Sequence, residues 1–333
     1  MILVTGGKGY VGSKLVEALA WADKKVRVID NNYYDPNGVN IVHGVEYIIK
    51  DIRDIKIADL NDIEAIIHLA GISNDPTAEY NTDRTFFINV EGTKLLARYA
   101  KEKKIRKFIF ASTCSIYDSF NSNNLVTKEL YDTKFISNIE TSPKYPYSES
   151  KYLAELFLGK MSEKGIFEPV VFRKGTIFGL STRMRFDLAI NAMMKDLILK
   201  KSIRLDNFGQ MWRPFLSIES AVQTYKNTLN NYDDFANKTL NVLDININIA
   251  HLALIIQREY PDSKFEFNDI TKPRSYLVYR DIGGELDVFS LKKYINVFYH
   301  KLILLDKNEF NNPIYYNIEW MKLVDLVMRT RKD

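Results

Sequence analysis

Val4-Thr5-Gly6-Gly7-Lys8-Gly9-Tyr10-Val11-Gly12-Ser13 sets glycines at a Gly-x-x-Gly-x-x-Gly spacing, between the apolar run Ile2-Leu3-Val4 and a segment of helical periodicity. Glycine permits a tight turn, lets backbone amides approach a pyrophosphate and allows a helix to pack closely on a strand. The helix N-terminus that follows favours negative charge. Gly6, Gly9, Tyr10, Val11 and Gly12 are therefore candidate dinucleotide contacts. A second apolar run, Val26-Arg27-Val28-Ile29, ends in Asp30, at the distance where a carboxylate receives ribose hydroxyls. Asp30 would repel the 2′-phosphate of NADP and no arginine follows it immediately, so NAD is the expected cofactor. The same carboxylate can cap the turn Asp30-Asn31-Asn32, and Asn31 joins the candidate cofactor contacts.

Outward from this motif, short apolar runs alternate with helical patterns. Met1 to Thr5, Lys25 to Asp30, Ala65 to Ala70, Lys107 to Ser112 and Pro169 to Arg173 read as strands, while Gly12 to Ala22, Thr85 to Lys103 and Ser148 to Lys164 read as helices. Such alternation predicts an α/β fold, a Rossmann-type doubly wound parallel sheet covered on both faces. After about residue 175 the pattern shifts to separated helices, Asn-rich loops such as Asn227 to Asn237, and the aromatic-rich stretch Tyr294 to Trp320. Residues 1–174 are expected to form the NAD-binding region, and residues 175–333 a smaller, interleaved α/β substrate-binding region.

Composition narrows the function class. A chain of 333 residues with 46% hydrophobic and 26% charged residues is that of a folded globular protein, not a disordered or fibrous one. Its 46 basic and 42 acidic residues are dispersed, which argues against nucleic-acid binding. Lys101 to Lys107 reads as the solvated end of a helix. Cys114 is the sole cysteine, so no intrachain disulfide forms, and no apolar run approaches the roughly 18 residues that span a bilayer. A cytoplasmic protein without a membrane partner is expected, and no metal site is indicated.

Tyr147-Ser148-Glu149-Ser150-Lys151 puts a tyrosine and a lysine on one face of a helix. A nearby ammonium stabilises phenolate and lowers its pKa, making Tyr147 a candidate acid/base for interconverting an alcohol and a ketone. Upstream, Phe110-Ala111-Ser112-Thr113-Cys114-Ser115-Ile116-Tyr117 is a strand entering a hydroxyl-rich turn at the expected carboxyl end of the sheet, where such folds bind ligands.

Taken in order, these motifs resemble the extended short-chain dehydrogenase/reductases of the nucleotide-sugar epimerase/dehydratase group. The resemblance extends through Lys50-Asp51-Ile52-Arg53-Asp54, His68-Leu69-Ala70-Gly71, Ile88-Asn89-Val90-Glu91-Gly92-Thr93 and Trp212-Arg213-Pro214-Phe215, and so covers nearly the whole chain. It implies that Asp51 and Ile52 face the adenine, that Leu69 and Ala70 line the pyrophosphate and ribose, and that Asn89 supports the cofactor. It further implies that Lys151 binds the nicotinamide ribose and that Thr113 bonds the sugar hydroxyl which Tyr147 deprotonates. Thr176 falls in what resembles the substrate loop, followed by Arg185 and by Asn191, which would share a helical face with Asp187. Arg213 and Arg274 resemble arginines that grip a sugar-nucleotide pyrophosphate, a task suited to a planar guanidinium. His68 ends an apolar strand and is read as structural. A homodimer through the helices at Thr85 to Lys103 and Ser148 to Lys164 is likewise implied.

The same resemblance narrows the reaction. A 4,6-dehydratase of this group would carry an Asp-Glu pair after the catalytic threonine, where this chain has Cys114 and Ser115. C3,C5-epimerases place a cysteine where Ser115 stands, and Cys114, one residue earlier, is read as a packing residue. What remains is 4-epimerisation of a nucleotide-diphosphate sugar, or net oxidation or reduction at C4. Ser73-Asn74-Asp75-Pro76 and Arg183 to Asn191 resemble a branch with relatives that oxidise GDP-heptose, and Asp118 replaces a common glycine. A non-catalytic redox sensor, the alternative of another class, would often have lost the tyrosine-lysine pair.

Overall fold

The computed structural model describes residues 1–38, 40–120, 143, 145–268 and 275–330. The strands are β1 (Ile2–Thr5), β2 (Val26–Asp30), β3 (Glu46–Ile49), β4 (Ala65–His68), β5 (Lys107–Thr113), β6 (Val170–Lys174), β7 (Thr176–Phe178), β8 (Ser202–Asp206), β9 (Trp212–Ser217), β10 (Thr239–Val242), β11 (Ile245–Asn248) and β12 (Lys264–Asn268). Helices α1 (Tyr10–Ala20), α2 (Asp75–Tyr80), α3 (Thr82–Phe86), α4 (Gly92–Glu102) and α5 (Pro146–Met161) belong to the first half. Helices α6 (Ala189–Lys200), α7 (Ile218–Asn230), α8 (Tyr232–Phe235), α9 (Ile249–Glu259), α10 (Val288–Leu302) and α11 (Asn317–Thr330) follow.

Seven strands form one parallel sheet in the order β10-β6-β5-β4-β1-β2-β3. Its strands read as continuous apolar runs because both faces are covered. Ile66, Phe108 and Phe110 pack against α4 and α5 on one face, while Val4, Ile67, Ile109 and Phe172 join the larger core with α1 and α7. The strand order reverses between β1 and β4, which leaves a crevice at their carboxyl ends. The two halves interleave: β10, from the second half, completes the large sheet beside β6. Two small sheets, β11-β9-β7 and β12-β8, build the remainder of the second half. Among the described residues no helix is long and apolar enough to cross a membrane.

Two features depart from the expected pattern. β3 is a short edge strand beyond the expected set, exposed at Glu46 and Ile49, although Tyr47, Ile48 and Ile49 are residue types enriched in strands. The helix expected over Thr85 to Lys103 is instead α3, a π-helical turn at Phe87–Glu91, and α4. Apolar periodicity cannot register the one-residue insertion of a π-turn, a feature common beside functional sites.

His68 lies wholly inside the sheet, 2.6 Å from Thr5 Oγ1 at Nδ1 and 2.9 Å from Thr93 Oγ1 at Nε2. It joins β1, β4 and α4 as a neutral ring, and burial pushes its pKa down to about 3. Between about 3 and the ordinary 6.5 the unfolded chain binds a proton that the native ring does not, so stability falls as pH drops through this window. Replacing His68 with Asn should remove that component. Denaturant unfolding at pH 7 and pH 5 should show the wild type losing about 2 kcal/mol more than the variant; equal losses would contradict the buried neutral ring.

Candidate active site

A cleft of about 400 Å³ opens at the carboxyl ends of the central strands. Gly6, Gly9, Tyr10, Val11 and Gly12 line one end, Thr113, Ser115, Tyr147, Lys174 and Thr176 the other, and Leu69, Ala70 and the 71–75 loop the middle. Gly6 has φ +71°, and a Cβ there would lie 2.6 Å from Ala70 N; on Gly12 it would lie 2.2 Å from Gly6 O. Side chains at either position would push apart the backbone segments that form the cradle. Gly9 caps α1 with no side-chain bond, so the first amides of the helix are left for a ligand in the cleft.

At that end Asp30 accepts hydrogen bonds from Lys8 N (3.0 Å) and Asn32 N (2.9 Å), and burial raises its pKa. Asn31, Asp51 and Ile52 also line the cleft. Burial raises the pKa of Asp51, but two bonds from the Arg53 guanidinium, at 2.8 and 2.9 Å, and one from Arg53 N hold it below the usual range. A glycine cradle, open helix amides and the Asp30 carboxylate at the end of β2 fit NAD, which would lie along the cleft from Asp30 towards Tyr147.

At the opposite end Thr113 hydrogen-bonds Tyr147, and its Oγ1 accepts from Ser115 N at 3.1 Å. The expected lowering of the Tyr147 pKa is not met in the protein alone: burial outweighs the Thr113 bond and pushes it up to about 12. Lys151 is buried, with its ammonium 4.8 Å from the Phe110 ring centroid, behind Gly71. Burial and the charge of Lys174 bring its pKa down to about 7. Below the floor, Glu155 of α5 pairs with Arg173 (2.6 Å) and takes a bond from Ser112, while Arg173 donates to Tyr117 Oη (2.8 Å). This buried network fixes α5, and with it Tyr147 and Lys151, against β5 and β6.

Three expected contacts are absent from the cleft lining: Lys151, behind Gly71, and two asparagines. The side chain of Asn89 is buried in bonds to Ile72 N (2.8 Å), Ile72 O (2.9 Å) and Ser150 Oγ (3.0 Å), so it ties the loop after β4 to α5. Asn191 accepts from Gly179 N and donates to Tyr10 Oη and Arg185 O, leaving its amide committed to the core. Asp187 precedes α6, so it does not share a helical face with Asn191. Arg185 does line the cleft, paired with Asp187 at 2.6 and 2.8 Å and bonded to Ser73. Arg213 lines it too, 5.0 Å from the Tyr276 ring. Arg274 and the side chain of Asp118 lie outside the described residues.

Sequence reasoning missed a wall made by the C-terminal helix. Asn317 and Met321 of α11 line the cleft, and Trp320 Nε1 donates to Tyr33 O at 2.6 Å. Arg183 stacks 4.0 Å from the Tyr34 ring and donates to Asn317 Oδ1 at 2.6 Å; burial and Arg185 lower its pKa to about 10. Contacts across so many intervening residues leave no local periodic signal. Lys174 was missed as well, although its place at the end of the last expected strand pointed to the cleft.

The sequence pattern of the NAD dependent epimerase/dehydratase family matches residues 2–245. The chain is 26% identical over 235 residues to an uncharacterized UDP-glucose epimerase of Bacillus subtilis, covering 67% of this chain and 70% of the relative. It is 22% identical over 355 aligned positions to a dTDP-D-glucose 4,6-dehydratase of Dictyostelium discoideum, covering 98% of this chain and 76% of that one. Among solved structures, a UDP-glucose 4-epimerase of Thermotoga maritima superimposes with a TM-score of 0.76 at 20% identity, over 90% of this chain and 99% of that one. The glycine cradle, the tyrosine-lysine helix and a match over most of the length thus converge, and the chain belongs to the NAD dependent epimerase/dehydratase family of NAD-dependent enzymes.

Proposed function

We propose that the protein is a nucleotide-sugar 4-epimerase that oxidises C4 transiently and returns hydride to the opposite face. Bound NAD supplies the hydride acceptor and, once reduced, the donor. Tyr147 Oη takes the proton of the C4 hydroxyl and later gives it back, with Thr113 holding that hydroxyl in place. Lys151 serves the nicotinamide ribose, and Arg213 at the cleft receives the sugar-nucleotide pyrophosphate. The roles proposed for Asp30, Asn31, Asp51, Ile52, Leu69 and Ala70 are contacts to the adenosine and pyrophosphate of the cofactor.

The observation that carries re-reduction over dehydration is the surroundings of Thr113. The Cys114 thiol donates to Arg173 O at 3.2 Å, buried with its pKa pushed up, and Ser115 bonds Thr113. Neither offers a carboxylate for removing water, and Asp75 lines the cleft from the start of α2 instead.

Incubating the purified protein with UDP-, GDP-, dTDP- and CDP-hexoses should change the configuration at C4 without net NADH. Stoichiometric NADH would replace this reading with net C4 oxidation, and a 4-keto-6-deoxy product would replace it with dehydration. Tyr147→Phe should lower turnover by about 100- to 10,000-fold while retaining bound NAD; undiminished turnover would remove Tyr147 from the chemistry.

We also propose a homodimer through α4 and α5, a reading supported by the exposure of Phe87, Leu153 and Leu156. Sedimentation at micromolar concentration should give twice the chain mass, and a monomer would overturn it.

A further inference from the structure

β5 and β6 are paired in parallel register, with Ser112 opposite Arg173 and Thr113 opposite Lys174. Facing residues of such a pair point to the same side of the sheet, and successive residues to opposite sides. Ser112 and Arg173 accordingly both turn to Glu155. Thr113 and Lys174 share the other side, where both line the cleft.

Lys174 stands apart from the other cations of the cleft. Arg185 is matched by Asp187, and Arg183 is bonded to Ile314 O and Asn317. Among the described residues Lys174 donates no hydrogen bond and makes no ion pair; the Tyr225 ring lies 6.0 Å from its ammonium. Burial lowers its pKa to about 8, and its charge also depresses that of Lys151. Its ammonium reaches the cleft without a protein acceptor among the described residues, so a bound group can supply one. A sugar hydroxyl would meet it with an ordinary hydrogen bond, whereas an anion would meet it with a stronger, charge-assisted one.

We propose that Lys174 is a specificity-determining residue that receives a carboxylate on the sugar, so that the substrates are nucleotide-linked uronic acids. This rests on the C4 reading above. With O4 at Thr113 and Tyr147, the substituent on the adjacent ring carbon C5 can turn to the neighbouring strand, where Lys174 stands beside Thr113 in the register. At C5 a hexuronate carries its carboxylate and a neutral hexose a hydroxymethyl group.

The test is binding to NAD-loaded Tyr147→Phe protein, by calorimetry, of two matched pairs: UDP-glucuronate against UDP-glucose, and GDP-mannuronate against GDP-mannose. In at least one pair the acidic sugar should bind about 10- to 100-fold more tightly, the range of a charged hydrogen bond. Adding Lys174→Met should erase that preference, and Lys174→Arg should keep most of it. Bound NAD and the thermal midpoint, measured on each variant, report whether it is folded and loaded. Preference for the neutral sugar, no preference, or a Lys174→Met effect equal on both members of a pair would overturn this inference alone. So would loss of NAD in folded Lys174→Met protein, because the lysine would then serve the cofactor. Absence of binding by all four sugars would overturn the nucleotide-sugar reading along with it.

Discussion

The close approach of backbone to backbone at the first strand-helix turn is the constraint on which the site depends. Gly6 packs against the Leu69-Ala70 backbone, and Gly12 against the carbonyl of Gly6. Because neither carries a Cβ, α1 comes down onto the sheet beside β4 with its N-terminus open to the crevice. The parallel order on either side of β1 then puts the carboxyl ends of β4, β5 and β6 along that same crevice. A single side chain at Gly6 or Gly12 would separate the elements that form the floor and wall of the cleft.

The end of the cleft at Thr113 and Tyr147 is held from beneath rather than from within. Glu155 and Arg173 form a buried ion pair whose remaining capacity is taken up by Ser112 and Tyr117. Burying two charges is expensive, and such a pair gains little net stability over an apolar one. What it contributes here is position: α5 cannot slide along the sheet without leaving a buried charge unpaired. Asn89 acts in the same way from the π-helical turn, joining the loop after β4 to Ser150 of α5. Its role lies in placing Gly71 and Ile72, not in facing the cleft.

Positive charge accumulates around the cleft. Lys151 and Lys174 lie close enough for the charge of Lys174 to lower the pKa of Lys151, and Arg183 is depressed by burial and by Arg185. Asp187 balances Arg185 and Glu155 acts on Lys151, yet cations outnumber acids along the cleft, which favours anionic ligands.

By itself the sequence determined the fold class, the glycine cradle, the candidate set Asp30, Thr113, Tyr147 and Lys151, and the structural place of His68. The cradle and the tyrosine-lysine pair are written in short-range spacing: a glycine at every third position, and a tyrosine and a lysine four positions apart, within alternating apolar strands and helices, all imposed by local backbone geometry. The tertiary structure alone decided the direction of the Tyr147 pKa, the inward turn of Asn89 and Asn191, the α11 wall and the pairing of Lys174 with Thr113. These depend on which surfaces are excluded from water and which strands become neighbours. Burial and strand register arise from contacts between segments far apart in the chain, and the spacing within any one segment does not encode them.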